Sequence, residues 1–171
     1  MKGEIGRAFI HRSRAYLTGD YLPKIRHALD GLSEADLWWR PNEASNSIGN
    51  LLLHLAGNIR QWVVSGIGSS PDTREREKEF TAAGGSVSQE LLDHLEEAVE
   101  AADEVLSRLS TEHLLTSRVI QGMDVSVLDA LYHVVEHFST HTGQILYLAK
   151  LRTGRDLAFW EIKDGKAIPR W

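Results

Sequence analysis

The stretch Leu128-Asp129-Ala130-Leu131-Tyr132-His133-Val134-Val135-Glu136-His137-Phe138-Ser139-Thr140-His141-Thr142-Gly143-Gln144-Ile145 decides the reading of this chain. Three histidines recur at intervals of four. Each such step carries a helical side chain about 40° past a full turn, so His133, His137 and His141 form one stripe. Two histidines on adjacent turns can grip one metal ion from one side, as in an HExxH helix. The pair is either His133 with His137 or His137 with His141, and spacing does not choose between them. Two ligands do not close a site, so a third must come from another helix. The candidate is His54, within Ile48-Gly49-Asn50-Leu51-Leu52-Leu53-His54-Leu55-Ala56-Gly57-Asn58.

Outward from these two stretches the pattern is helical. Ser126 with Asp129 three residues on resembles a capping box and opens the histidine helix, predicted over Val127 to about Thr153 and ended by Gly154. Ser47 caps the His54 helix, predicted from Ile48 to about Ser65 and ended by Gly66 and Gly68. On that helix Asn50, His54, Asn58 and Trp62 make a polar-aromatic stripe beside the apolar face of Leu51, Leu52, Leu55, Ile59 and Val63. A histidine and two carboxamides beside an apolar face point to a lined pocket.

A further helical stretch runs from Glu4 to about Asp30, where Gly19 and Pro23 predict a kink or two consecutive helices. Another begins near Ser88 and carries a plain core stripe through Leu91, Leu92, Leu95, Val99, Ala102, Val105, Leu106 and Leu109. Between these lie connectors. Leu32 to Ser47 holds adjacent Trp38 and Trp39, one expected on the core and the other on the connector or a partner chain. Residues Gly68 to Gly85 read as loop, with the run Arg74-Glu75-Arg76-Glu77-Lys78-Glu79 expected in solvent. Ser110 to Asp124 reads as a second connector. His11, His27 and His94 are expected exposed, and His113 has no obvious partner. The aromatic tail with Phe159, Trp160, Pro169 and Trp171 is expected to fold back on the body or on a second subunit. Four long helices with few strand signals predict an all-α protein, one helical-bundle domain spanning residues 1–171.

Composition narrows the function. A net charge of −5 and a pI near 5.9 argue against a nucleic-acid-binding surface. The chain has no cysteine, which excludes disulfides, thiolate ligands and a cysteine nucleophile and leaves His, Asp and Glu as metal donors. The polar opening Met1-Lys2-Gly3-Glu4 shows no signal peptide, and the apolar runs are too short to span a membrane. The expected location is cytoplasmic. Neutral imidazoles suit Zn, Ni, Cu and Fe(II), and three protein ligands with one open position form a catalytic arrangement. The open position suits a water, whose pKa the metal lowers towards about 7, or a substrate thiolate.

The two quoted stretches, with Asn46-Ser47 before the first and the His-x3-His-x2-Gln ending of the second, resemble the signatures of the DinB-like (YfiT-like) metalloenzymes, a family distinct from the DNA polymerase that shares the name. Trp38-Trp39-Arg40-Pro41-Asn42 and Glu79-Phe80 extend the resemblance over nearly the whole chain. It implies an antiparallel four-helix bundle in up-down-down-up order and a divalent metal, zinc or nickel, held by three histidines. By motif position these are His54, His137 and His141, while His133 matches a non-ligand position. Homodimers are common in the family. Its characterised members are S-transferases or isomerases using low-molecular-weight thiols, and this chain sits with the uncharacterised branch.

Asn50, Asn58 and Gln144 lie within a turn of these ligands and are candidates to orient them. Glu136 points about 100° away from His137. Trp62 and Tyr147 are candidates for the pocket mouth, and Arg60, Arg74 and Arg76 for a basic patch that would hold an anionic thiol. No residue stands out as a catalytic base. The reading is a metal-dependent enzyme for small molecules, a thiol S-transferase acting on electrophiles. The alternatives are a metal-dependent hydrolase or a non-enzymatic metal-binding stress-response protein.

Overall fold

The computed structural model describes residues 2–171; Met1, where the polar N-terminal stretch begins, lies outside them. The first arm comprises α1 (Lys2–Tyr16), a π-helical turn (Leu17–Tyr21) and α2 (Leu22–Leu29). Gly19 and Pro23 thus produce two consecutive helices on one helical path. Pro23 falls in the first turn of α2, where its missing N–H is tolerated. The second arm is α4 (Ile48–Ile59), prolonged by a wider turn over Arg60–Ser65 in which Gly66 N–H bonds Gln61 O at 2.9 Å and Gly68 N–H bonds Val63 O at 2.8 Å. The third is α6 (Ser88–Ser107) and the fourth α7 (Val127–Thr153).

Together they form an antiparallel four-helix bundle. α4 packs against both α6 and α7, and α2 also packs on α7. Leu52, Leu55 and Ile59 of α4 meet Leu95 and Leu106 of α6 and Leu131, Phe138 and Ile145 of α7 in a fully buried core. Removing such side chains from water contributes roughly 1.5–3 kcal/mol each.

Two reciprocal caps set where α4 and α7 begin. Ser126 Oγ accepts from Asp129 N–H at 3.1 Å and Asp129 Oδ2 accepts from Ser126 N–H at 3.2 Å. At α4 the same exchange runs between Ser47 and Asn50, both distances 3.1 Å. Gly154, in a left-handed conformation, ends α7.

The connectors hold more structure than their composition suggests. Leu32 to Ser47 contains the short α3 (Glu34–Leu37). Trp38 packs against the core and donates Nε1–H to Ser86 O at 3.0 Å. Trp39 lies under the Arg152 guanidinium of α7. Residues 68–85, expected as loop, contain α5 (Arg76–Thr81). The charge run there is not wholly solvated. Glu75, Arg76, Glu77 and Lys78 are exposed, but the Arg74 and Glu79 side chains are only 4% and 9% accessible. The short helix turns Glu79 inward onto α4, which an alternation of charge along the sequence does not reveal.

Two hairpins also depart from the expectation. β1 (Ser117–Ile120) pairs antiparallel with β2 (Met123–Ser126), and β3 (Trp160–Lys163) with β4 (Lys166–Pro169). Their turns are Gln121-Gly122 and Asp164-Gly165, all four residues at positive φ. An Asp-Gly pair between short strand-like runs is a recognised hairpin signal, because a type I′ turn needs positive φ at both central positions. The tail does fold back. Leu157 is buried, Phe159 leans on His27, and Lys24 sits over the Trp171 ring. His27, expected in solvent, is half-buried and bonds Leu157 O at 2.8 Å through Nε2, so it anchors the tail. His11, His94 and His113 are exposed. Among the described residues no helix is long and apolar enough to cross a membrane.

Ser47 is fully buried and supports the helix that carries His54. Ser47→Ala is expected to lower stability by about 1–2 kcal/mol, read as a lower urea midpoint with an unchanged slope. A wild-type midpoint would show that the cap contributes nothing.

Candidate metal centre

α4 and α7 face each other at the histidines. One nitrogen from each of His54, His137 and His141 lies within 4.8 Å of the others. His54 Nε2 and His137 Nε2 are 3.0 Å apart. Ligands to one tetrahedral zinc, at bonds of about 2.0–2.1 Å, sit roughly 3.3–3.4 Å from each other, so this pair already converges on a common point. The donor set is three imidazoles and no thiolate, which fits zinc, nickel and other first-row divalent ions. His54 is buried and the other two are half-buried.

Their outer nitrogens are treated differently. His54 Nδ1 is 2.9 Å from Glu79 Oε2. His141 Nδ1 is 2.6 Å from Gln144 Oε1; that oxygen accepts, so Nδ1 carries the hydrogen and Nε2 keeps its lone pair. His137 Nδ1 is buried with no protein partner. His133, on the same stripe, does not join the group. Asn58 Nδ2 donates to its Nε2 at 3.3 Å, and its ring packs tilted against Trp62 with centroids 4.1 Å apart.

Of the three carboxamides expected to orient ligands, Gln144 is in contact with one. Asn58 is turned to His133 instead. Asn50 reaches no histidine: its carboxamide caps α4 and donates to Glu79 O at 2.9 Å and Ala82 O at 2.8 Å. It therefore holds the α5 segment against α4, and Arg40 helps by donating to Phe80 O at 2.9 Å. Capping uses the Asn50 oxygen from within the first turn of α4, which is why sharing a face with His54 does not bring the two together.

The sequence reading left Glu79 in solvent with the charge run, and gave Arg74 both as part of that run and as a candidate for a basic patch. Arg74 donates from Nε to Glu79 Oε1 at 2.7 Å and from Nη2 to Oε2 at 2.8 Å. Burial pushes the Glu79 carboxyl up, but the bonds from Arg74 and His54 outweigh it and hold it below the usual carboxylate range. The signals available were the Glu79-Phe80 pair in the family resemblance and Phe80 itself, an aromatic directly after the charge run; its ring packs on His54 at 4.8 Å. Of the other proposed basic residues, Arg60 faces Glu97 and Arg76 lies over Phe80 at the edge of the site. Trp62 is buried beneath His133, whereas Tyr147 is 67% exposed beside Gln144 on a surface groove.

His133, His137 and His141 are held towards the neutral form. Burial, then the neighbouring imidazoles and Arg74, pushes His137 down to about 3. Burial lowers His141 against the opposing bond to Gln144, and lowers His133 against the charge of Glu136. Neutral imidazole is the form that binds a metal. It also fixes a sign. Below about pH 6.5 the unfolded chain takes up protons on these histidines that the folded chain refuses, so stability falls as pH drops. The metal-free protein is therefore expected to melt at a lower temperature at pH 5 than at pH 7.5, and His137→Gln to weaken that dependence. Glu79 titrates below this window. A midpoint that does not change between the two pH values would contradict the burial of neutral imidazole.

The family model described as "Protein of unknown function (DUF1572)" matches residues 4–166. Among solved structures, the fold is similar to that of a DinB-like protein from Bacillus cereus ATCC 10987, with a TM-score of 0.67 and 19% identity over 86% of this chain and 93% of that one. It is also similar to a conserved protein from Enterococcus faecalis, with a TM-score of 0.63 and 16% identity over 89% of this chain and 97% of that one. At these identities the likeness shows the fold. No curated protein matches the chain.

Proposed function

We propose that this chain, which belongs to the DUF1572 family and has the DinB-like fold, is a metal-dependent enzyme acting on small molecules. The observation that carries the reading is the convergence of His54, His137 and His141 from two facing helices onto one point. These three residues would hold a divalent ion, zinc or nickel, alongside a substrate ligand. When bound, such an ion supplies Lewis-acid chemistry and keeps a small thiol ionised at neutral pH. The reaction is attack of the thiolate sulfur, its proton already lost to solvent, on an electrophilic carbon; the C–S bond forms as that carbon's bond to a leaving group breaks, and the leaving group departs with the electron pair.

The protein's own contribution is positioning and exclusion of water. Gln144 holds His141 from the solvent side, Glu79 holds His54 from the buried side, and Phe80 covers the His54 ring. S-transfer asks for little further proton movement once the thiol is ionised. That suits a site whose nearest carboxylate is already committed to Arg74 and His54. We also propose a homodimer. The exposed Trp160, Ile162 and Ile168 of the second hairpin support an apolar contact with a second copy.

Elemental analysis of the purified protein tests the site. One divalent ion per chain is expected. His54→Ala, His137→Ala and His141→Ala should each lose it, since two imidazoles leave the ion under-coordinated, whereas His133→Ala should keep it. Loss in His133→Ala with retention in His141→Ala would move the ligand pair one turn towards the N-terminus of α7. A panel of small thiols with a generic electrophile then tests the reaction. Turnover of an ester or amide without thiol would favour hydrolysis, and no turnover by the loaded protein would leave a metal-binding protein. Light scattering at micromolar concentration is expected to give the mass of a dimer, and a monomer mass would remove that proposal.

A further inference from the structure

The pair Arg74 and Glu79 sits where a plain helix face would be expected, and α4 makes room for it. Gly57 lies one turn after His54. A Cβ on it would fall 2.1 Å from Glu79 Oε1, 2.9 Å from Arg74 Nε and 3.0 Å from Glu79 Cδ. The carboxylate is thus seated on bare backbone, in a space that any other residue would fill. Both charged side chains are buried, at 4% and 9% accessible, and cannot swing into solvent without opening the segment. That segment is tied down through its carbonyls, because Asn50 bonds Glu79 O and Ala82 O while Arg40 bonds Phe80 O.

We propose that Gly57, Arg74 and Glu79 form a positioning device that fixes the His54 imidazole as its Nδ1–H tautomer and aims the Nε2 lone pair at the point where the three histidines converge. The device thereby sets the affinity of that point for a first-row divalent cation, a claim that rests on the metal reading of the triad. Two observations support it. An ionised carboxylate only accepts, so Glu79 Oε2 at 2.9 Å requires the hydrogen on His54 Nδ1. Arg74 Nη2 has two hydrogens: one bonds Glu79 Oε2 at 2.8 Å, and the nitrogen also lies 3.1 Å from His54 Nδ1, where it competes with the carboxylate for that nitrogen; the shorter, charge-assisted contact at 2.9 Å takes Nδ1. Finally, a buried ion pair is a poor stabiliser compared with apolar packing of the same volume. One aimed at a histidine, above a glycine that admits it, is accounted for by orientation rather than by stability.

The test uses full-length wild type, Gly57→Ala and Glu79→Gln, each checked for helical content and metal-free melting temperature. Glu79→Gln keeps the side-chain shape, so it remains informative should Gly57→Ala fold poorly. Nitrogen-15 imidazole spectra of the metal-free proteins read the tautomer directly. Wild-type His54 should be Nδ1–H. In Glu79→Gln an amide nitrogen at the Oε2 position would donate to Nδ1 and draw His54 towards Nε2–H, and in Gly57→Ala the displaced carboxylate should release it to a mixture. Zinc affinity, measured by competition with a chelator, should fall about 10–100-fold in both variants. His54 remaining Nδ1–H in both variants, or zinc affinity within about twofold of wild type, would overturn the proposal. If wild type itself binds no zinc, the metal reading of the triad and the affinity claim fall together, while the spectra alone decide whether Glu79 sets the tautomer.

Discussion

Three imidazoles must be accommodated between two apolar helix faces, and much of the molecule answers to that requirement. His54 comes from α4, and His137 and His141 from α7, flanked by fully buried Leu55, Val134 and Phe138. Burial holds His137 neutral, and the rings lie close enough together for His54 and His137 to touch at 3.0 Å. Such an arrangement holds only if both helices start at fixed registers. The reciprocal caps at Ser47 and Ser126 supply those starting points. The segment from Arg74 to Ala82 then closes over α4 and brings in the carboxylate that a buried imidazole N–H needs.

The polar accounting around this interface is uneven. His54 and His141 have partners for their outer nitrogens, while His137 Nδ1, Asn58 Oδ1 and Trp62 Nε1 are buried without one in the protein. A buried group left unpaired costs roughly 1–3 kcal/mol. Other such atoms among the described residues are Arg60 Nε, Ser88 Oγ and Thr142 Oγ1. On the α6 side Leu92, Leu95, Val99 and Leu106 make a plain apolar core.

How much of this could be read from the chain depends on the range of each signal. Helical periodicity and caps are local, so the four arms, the start of α7 at Ser126 and the stripe of His133, His137 and His141 were legible. Which two of the three converge with His54 was not. That depends on how α4 and α7 are rotated against each other, and the choice of His137 and His141 came from family resemblance. Glu79 was missed because its burial is decided by a short helix whose only apolar mark is Phe80. Asn50 was misassigned because a carboxamide in the first turn serves the cap before it serves a neighbour one turn on. Both hairpins had a local signal in Gln121-Gly122 and Asp164-Gly165, which the surrounding polar residues obscured. His27 was placed in solvent because its partner, the carbonyl of Leu157, lies 130 residues away.

The π-helical turn over Arg60–Ser65 has a consequence for how this fold can vary. An α-helix carries each fourth residue about 40° further round, so a stripe begun at Asn50 would drift off the α7 face by its fourth member. The wider turn advances each residue by a smaller angle and brings Trp62 back beneath His133. Such a turn is in effect one inserted residue. A chain one residue shorter between positions 60 and 65 would close into ordinary helix, keep its histidines and core, and present a different side chain to His133. The floor of the site can thus be exchanged by a change of length alone, with every residue that faces the metal position left in place.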